Sequence, residues 1–322
     1  MIGRRAALGL AALAAPIIFK AGAQEARTIR LVVPYPPGGA SDVIARLLAG
    51  PMGEILGQTV VVENRPGANG AIAGELVVRS PPDGLTLFMG NAGPSAMNQA
   101  LLGRRLPYDS VTDFTPICLV SSVPMVLGIY PGHPAKTLQE LIAYARARPG
   151  EVNYATGGIG SAPHLVLAQL ATLSGIDWVQ VAFRGGQQAI AAVVAGQVPF
   201  LMDTAPVVLP QVREGRVRGL AVTSAQRVAA APEIPTIAEQ GFPGFEATSW
   251  GGILGPARMP PAVTTRLNAA VVRAMDMPAV VEAYARLGID RRASTPEAFG
   301  AHIAAELARW TEVVRVAEIK PE

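Results

Sequence analysis

The chain has 322 residues, half of them hydrophobic and 16% charged, with 27 basic and 24 acidic side chains. That length fits about two domains, and so low a charged share excludes long disordered polar tracts. A single cysteine, Cys118, excludes an internal disulfide; its apolar surroundings predict a buried packing residue rather than a reactive thiol.

Residues 1–23 read as a cleavable export signal. Arg4-Arg5 is the positive start, Ala6 to Phe19 is apolar, and Ala21-Gly22-Ala23 is a small-residue cleavage site before Gln24. The apolar run is too short for a spanning helix, which takes about 20 residues; a non-cleaved anchor is the alternative reading. Sec and twin-arginine export both account for Arg4-Arg5. Removing Arg4, Arg5 and Lys20 leaves 24 basic residues against 24 acidic ones. A neutral mature chain gives no electrostatic footprint for nucleic acid or an acidic membrane. The expected location is the periplasm.

The β-branched run Thr28–Tyr35 predicts a first strand, followed by helical spacing of Val43, Ile44, Leu47 and Leu48. Thr59–Glu63 predicts a strand, Gly70–Arg79 a helix and Leu85–Gly90 a third strand. A second series follows. It predicts strands at Val123–Tyr130, Val152–Thr156, Trp178–Phe183, Val198–Met202 and Val217–Thr223. Helices are expected between them at Leu138–Arg148, Ser161–Ser174, Gln187–Ala195 and Val207–Glu214. Thr248–Leu254 predicts a strand crossing back. Helices at Pro261–Met275, Pro278–Leu287 and Pro296–Ala317 close the chain, each with proline in its first turn. Alternating strands and helices predict parallel sheets with helices on their faces. The expectation is an α/β chain of two lobes, each a mainly parallel sheet flanked by helices. Residues 24–123 and 247–322 would form one lobe and 124–246 the other, with a ligand cleft between them.

Two loops carry the functional signal. Val33-Pro34-Tyr35-Pro36-Pro37-Gly38-Gly39-Ala40-Ser41-Asp42 and Tyr154-Ala155-Thr156-Gly157-Gly158-Ile159-Gly160-Ser161-Ala162-Pro163-His164 each join a predicted strand to a predicted helix. Free backbone N–H groups at a helix N-terminus hold an anion without a charged side chain, and ligands of open α/β sheets bind at strand carboxyl ends. Pro163 occupies the third glycine position of a dinucleotide fingerprint, so that reading fails. No clustered Cys/His metal set, P-loop or nucleophile elbow is present, and no catalytic residue, metal or cofactor is assigned.

With these motifs in view, the chain resembles the Bug family of extracytoplasmic receptors, the solute-binding proteins of tripartite tricarboxylate transporters (the TctC family). The resemblance rests on Val32–Arg46, Val61–Gly74, Pro82–Gly84, Pro107–Phe114, Asn153–Leu165, Gly196–Asp203, Gly219–Ser224, Thr248–Pro256 and the end from Ser294 to Ile319. It implies a periplasmic-binding-protein fold of type II and a small carboxylate ligand: a tricarboxylate, dicarboxylate, acidic amino acid or aromatic acid. It also implies two membrane subunits as partners, one small and one large, and no catalysis. A monomer is expected. A sensory co-receptor, or an enzyme on the same scaffold, stays open as an alternative.

Ligand contacts are expected from Tyr35, Gly38, Gly39, Ser41, Asn91, Thr156, Gly158, Gly160, Ser161, His164, Arg184 and Asp203. Each has a plainer reading. Gly38 and Gly39 supply a tight turn; Ser41 is the helix N-cap and Asp42 its first-turn acid. Tyr35 packs, and His164 is structural. Arg184 is a solvated loop arginine or a clamp for a carboxylate. Asp203 caps the next helix or meets an ammonium or hydroxyl group of the ligand. Asn69 is expected to cap the second helix, and Trp250 to pack where the chain crosses between lobes.

Overall fold

A computed structural model describes residues 28–316 and 319; the proposed export signal lies outside the described residues. The first series runs β1 (Ile29–Val33), α1 (Ala40–Leu56), β2 (Val60–Asn64), α2 (Ala71–Val78) and β3 (Thr86–Asn91). A π-helical turn at Gly93–Met97 leads into the short α3 (Asn98–Leu102). β1 pairs in parallel with β2 and β3. Ile29, Leu31, Val32 and Val33, the four β-branched or aliphatic positions of β1, are all buried, and Arg30 between them is half-buried.

β4 (Phe114–Ile129) then runs for 16 residues and belongs to both sheets. Through Pro124 it pairs antiparallel with β9 (Thr248–Pro256); from Met125 onward it pairs antiparallel with β7 (Phe200–Thr204). β8 (Arg218–Val222) also joins it antiparallel from Val126. The crossing strand therefore starts nine residues before the predicted Val123. Pro116, Pro124 and the Ser121-Ser122 pair hide its first half, because they break the apolar alternation by which a strand is read. Register shifts between Pro116 and Cys118 and between Leu119 and Ser121 bend it.

The second series runs α4 (Leu138–Arg146), β5 (Asn153–Thr156), α5 (Ala162–Ser174), β6 (Val179–Ala182), α6 (Gly186–Val194), β7, α7 (Ala205–Arg213) and β8. β5 pairs in parallel with β6 and β7. After β9 come α8 (Pro261–Met275), α9 (Pro278–Leu287), β10 (Asp290–Arg291) and α10 (Pro296–Val316). The two-lobed α/β architecture is the expected one, but the sheets are mixed rather than mainly parallel. The reason is that the two crossing strands, β4 and β9, enter antiparallel to their neighbours.

Under the first sheet, Leu31, Val33, Ile44, Leu48, Leu267 and Val271 form one apolar body. In the second lobe, Leu201, Ile190, Val193 and Val208 form another. Each such side chain contributes about 1.5–3 kcal/mol on burial, which fixes the strand ends from which the loops project. Trp250 on β9 packs edge-on against Phe299 of α10, as its predicted packing role requires. Cys118 is buried, and burial raises its thiol pKa. Among the described residues no helix is long and apolar enough to cross a membrane, and no group of His, Cys, Asp and Glu is arranged to hold a metal ion.

Candidate functional site

The carboxyl ends of β1, β3, β5, β6 and β7 all face one cavity of about 110 Å³ between the lobes. Its walls include Tyr35, Gly39, Ala40 and Ser41 after β1, Asn91 at the end of β3, and Gly157, Ser161 and Ala162 after β5. Arg184 to Gln188 after β6, Asp203 and Thr204 of β7, and Ser249 of β9 complete them. That volume is below the roughly 300–1,000 Å³ of drug-sized ligand pockets, which leaves room for a small solute only.

The first loop is built by Asp42. Its Oδ2 accepts the Gly38 N–H at 2.9 Å, and its Oδ1 accepts from Asn64 at 2.9 Å and from Arg46. The Asn64 amide also donates to the Tyr35 carbonyl at 3.0 Å. Burial alone would raise the Asp42 pKa, but the contacts with Arg46, Gly38 and Asn64 outweigh it and hold the carboxyl below its usual range. Gly38 sits at φ +88°, a conformation open to glycine and strained for other residues. The N-cap of α1 is Gly39, not Ser41. Ser41 instead lies in the first turn, where its Oγ accepts from the buried Asn91 amide at 2.9 Å. Asp42 is the first-turn acid expected, reaching back to Gly38.

The second loop is held by Thr156 and His164. Thr156 Oγ1 accepts from Gln180 at 2.6 Å. Ser161 is the N-cap of α5, and its Oγ donates to the Gly158 carbonyl at 2.7 Å. The Gly160 N–H donates to His164 Nδ1 at 3.1 Å. Burial lowers the His164 pKa to about 4, the reverse of the rise that a facing carboxylate would cause. His164 is not a cavity wall, and neither are Gly38, Thr156, Gly158 or Gly160. These five shape and brace the loops whose other residues line the space. Gly160 is also where the lobes meet: a Cβ there would stand 3.1 Å from Asn98 Oδ1 and 3.3 Å from Asn69 Nδ2. Asn69 is not the cap of α2, whose N-cap is Gly70. It adopts φ 47°, ψ 39° and uses its amide to accept from the Tyr35 hydroxyl at 2.9 Å and donate to Asn98 at 2.8 Å.

A third loop, Arg184-Gly185-Gly186-Gln187-Gln188, closes the ring. Arg184 is exposed at the cavity edge, and among the described residues its guanidinium has no hydrogen bond or ion pair. Gly185 is the N-cap of α6, and Gln187 Nε2 donates across the cleft to the Gly38 carbonyl at 2.8 Å. Thr204 is the N-cap of α7. Four helix N-termini, those of α1, α5, α6 and α7, thus converge on one small space. Their opening N–H groups have no partners within their helices, and their dipoles make the cavity electropositive.

Among the described residues that form the wall, two are charged, Arg184 and Asp203. Asp203 is 7% exposed. Its Oδ1 accepts from the Thr204 N–H at 2.7 Å and hydroxyl at 3.1 Å, while burial raises its pKa to about 6. Sequence reasoning found two of the four helix ends as glycine loops and flagged Arg184 and Asp203. It placed Arg184-Gly185 at another strand end and a helix opening near Pro206, but gave no ligand contact to Gly185, Gly186, Gln187, Gln188, Thr204 or Ser249. The Gly185-Gly186 pair before a helix was the same signal as the other two loops. The Pro206 next to Thr204 marked the fourth.

Residues 44–319 match the model of the tripartite tricarboxylate transporter family receptor, TctC. Protein BugT of Bordetella pertussis is 37% identical over 311 residues, covering 96% of this chain and 94% of BugT. A solved R. palustris protein with adipate is 34% identical with a TM-score of 0.89, over 93% of this chain and 100% of that one. MatC from Rhodopseudomonas palustris with bound malate is 34% identical with a TM-score of 0.85, over 90% and 99%. By sequence over nearly its whole length, and by a fold that superimposes on those binding proteins, this chain belongs to the tripartite tricarboxylate transporter receptor family.

Proposed function

We propose that this protein captures a small carboxylate in the cavity between its lobes and delivers it to the membrane subunits of a tripartite tricarboxylate transporter. The observation that carries the reading is the meeting of four helix N-termini around a cavity with one cationic side chain at its edge. Backbone N–H groups grip a carboxylate in a dry cleft, and each such bond to a charged oxygen contributes roughly 1.5–3 kcal/mol net. Three or four of them, less the association cost, give binding in the micromolar range. The similar proteins with adipate and malate support the same ligand class.

Tyr35, Gly39, Ser41, Asn91, Ser161, Arg184 and Asp203 are the contact residues in this reading, with Gly38, Thr156, Gly158, Gly160 and His164 holding the loops. The lobes, 24–123 with 247–322 and 124–246, close about the β4 and β9 crossings. Export by residues 1–23 delivers a monomer to the periplasm. Binding rather than turnover is the function in this reading, in keeping with the receptor family to which the chain belongs.

Isothermal titration calorimetry of the mature protein against a panel of dicarboxylates, citrate, acidic amino acids and aromatic acids tests this reading. One or more acids should bind at micromolar concentration and leave the cell chemically unchanged. Absence of binding across the panel, or conversion of a bound acid, refutes it.

A further inference from the structure

Asp203 is out of place in an anion site. It is 7% exposed and belongs to the wall of the same cavity. Thr204 occupies Oδ1 through two hydrogen bonds, and Oδ2 has no donor among the described residues. Among the described residues no cation neutralises it either: Arg184, the one cationic wall residue among them, forms no ion pair with it. Tyr35 is the other titratable wall residue, and its hydroxyl is committed to Asn69. Nor does the surrounding chain leave room for a substitute. A Cβ on residue 186 would collide with Asp203 Oδ2, so the glycine there keeps the oxygen open to the cavity.

With no protein donor, this oxygen, facing the cavity from a nearly buried side chain, is left for cavity water or a ligand to satisfy. A plain dicarboxylate brings only acceptors and would set charge against like charge. From this geometry we infer that the ligand is a carboxylic acid bearing a hydrogen-bond donor beside its carboxylate, a hydroxyl or an ammonium, and that Asp203 Oδ2 receives it. The helix N-termini then hold the carboxylate while Asp203 selects among acids by the neighbouring substituent. This inference rests on the carboxylate reading and narrows it.

The test compares matched acids by calorimetry at neutral pH, so that only the donor differs. Succinate is set against malate and aspartate, and adipate against 2-hydroxyadipate and 2-aminoadipate. Any other acid of the panel that binds is set against its own α-hydroxy and α-amino analogues. The wild-type protein should prefer at least one donor-bearing acid by roughly tenfold or more, the scale of one charged hydrogen bond; malate and aspartate arms tell hydroxyl from ammonium. In Asp203→Asn, which keeps an acceptor for Thr204 but turns a donor toward the cavity, that preference should fall to within about twofold. Equal or tighter wild-type binding of the donor-free acids overturns the inference and leaves carboxylate capture standing. An undiminished preference in a folded Asp203→Asn protein overturns it too. Failure of every acid to bind overturns the carboxylate reading and this inference together.

Discussion

Gln187 Nε2 donates to the carbonyl of Gly38 at 2.8 Å, and this single bond ties α6 of one lobe to the loop after β1 of the other. Beside it, Pro36 stands 3.3 Å from the Cβ position of Gly185. The contact exists only while the lobes are together, so it adds to the closed state and not to either lobe alone. A neutral hydrogen bond contributes about 0.5–1.5 kcal/mol. Gln187→Ala should therefore weaken carboxylate binding by about two- to tenfold and leave the melting temperature of the ligand-free protein nearly unchanged. Calorimetry paired with small-angle scattering, which reads the closed fraction, checks this. Wild-type affinity in the variant would show that the bond does not hold the cleft.

Gly39 offers a cleaner probe of the anion seat. Its φ of −78° suits any residue, and a Cβ there meets nothing nearer than the Pro36 carbonyl at 3.9 Å. Aspartate is also a favoured N-cap. Gly39→Asp should fold with a melting temperature within a few degrees of the wild type, because Asp42 is already neutralised by Arg46. The new carboxylate would sit where the ligand's belongs and should weaken binding by about a hundredfold or more, as a like charge in a dry site does. Retained ligand-induced stabilisation would remove the N-terminus of α1 from the site.

The parts of this molecule that were readable in sequence are those written by glycine, proline and period. Strand and helix order from β1 to β3 and from α4 to β8 followed from apolar spacing, and the loops at Gly38-Gly39 and Gly158 to Ser161 from glycine clusters. What was not readable depends on contacts distant in the chain. β4 hides its first half behind Pro116 and Pro124, and only its pairing with β9, more than a hundred residues on, makes it a strand. Asn69 looked like a cap, yet Tyr35 and Asn98 recruit its amide to the lobe interface. Gln187 carries no local mark of reaching Gly38 across the cleft.

Away from the cleft, one carboxylate oxygen serves two tryptophans. Glu306 Oε2 accepts the Trp250 indole N–H at 3.0 Å and that of Trp310 at 3.1 Å. Both rings are buried, at 2% and 0% exposure, so neither N–H has a route to water. Glu306→Ala strands two donors at about 1–3 kcal/mol each and should lower stability by about 2–4 kcal/mol in chemical denaturation. Glu306→Gln keeps an acceptor and should lose less than half of that. Equal losses in the two variants would point to packing rather than hydrogen bonding at this position.

Asp203 and His164 make stability depend on pH in opposite directions. Asp203 titrates at about 6 in the folded chain against its usual 3.8, because burial disfavours its charge. Between these values the folded state holds a proton that the unfolded state has released, so Asp203 makes stability fall as pH rises. His164 titrates at about 4 against its usual 6.5, also through burial. In that window the unfolded state holds the extra proton, so His164 makes stability fall as pH drops. The two slopes overlap and offset each other in the wild type. Asp203→Asn removes one of them. Two pKa units correspond to about 3 kcal/mol, so the ligand-free variant should gain on that order above pH 6, and the gain should vanish near pH 4, where Asp203 is protonated anyway. What remains is the His164 slope, and the variant should be more acid-sensitive than its parent. Denaturation midpoints measured from acid to neutral pH test both parts. A gain that is the same at both ends would mean that Asp203 is not held as a strained, buried charge, and that its open oxygen is not waiting for a donor.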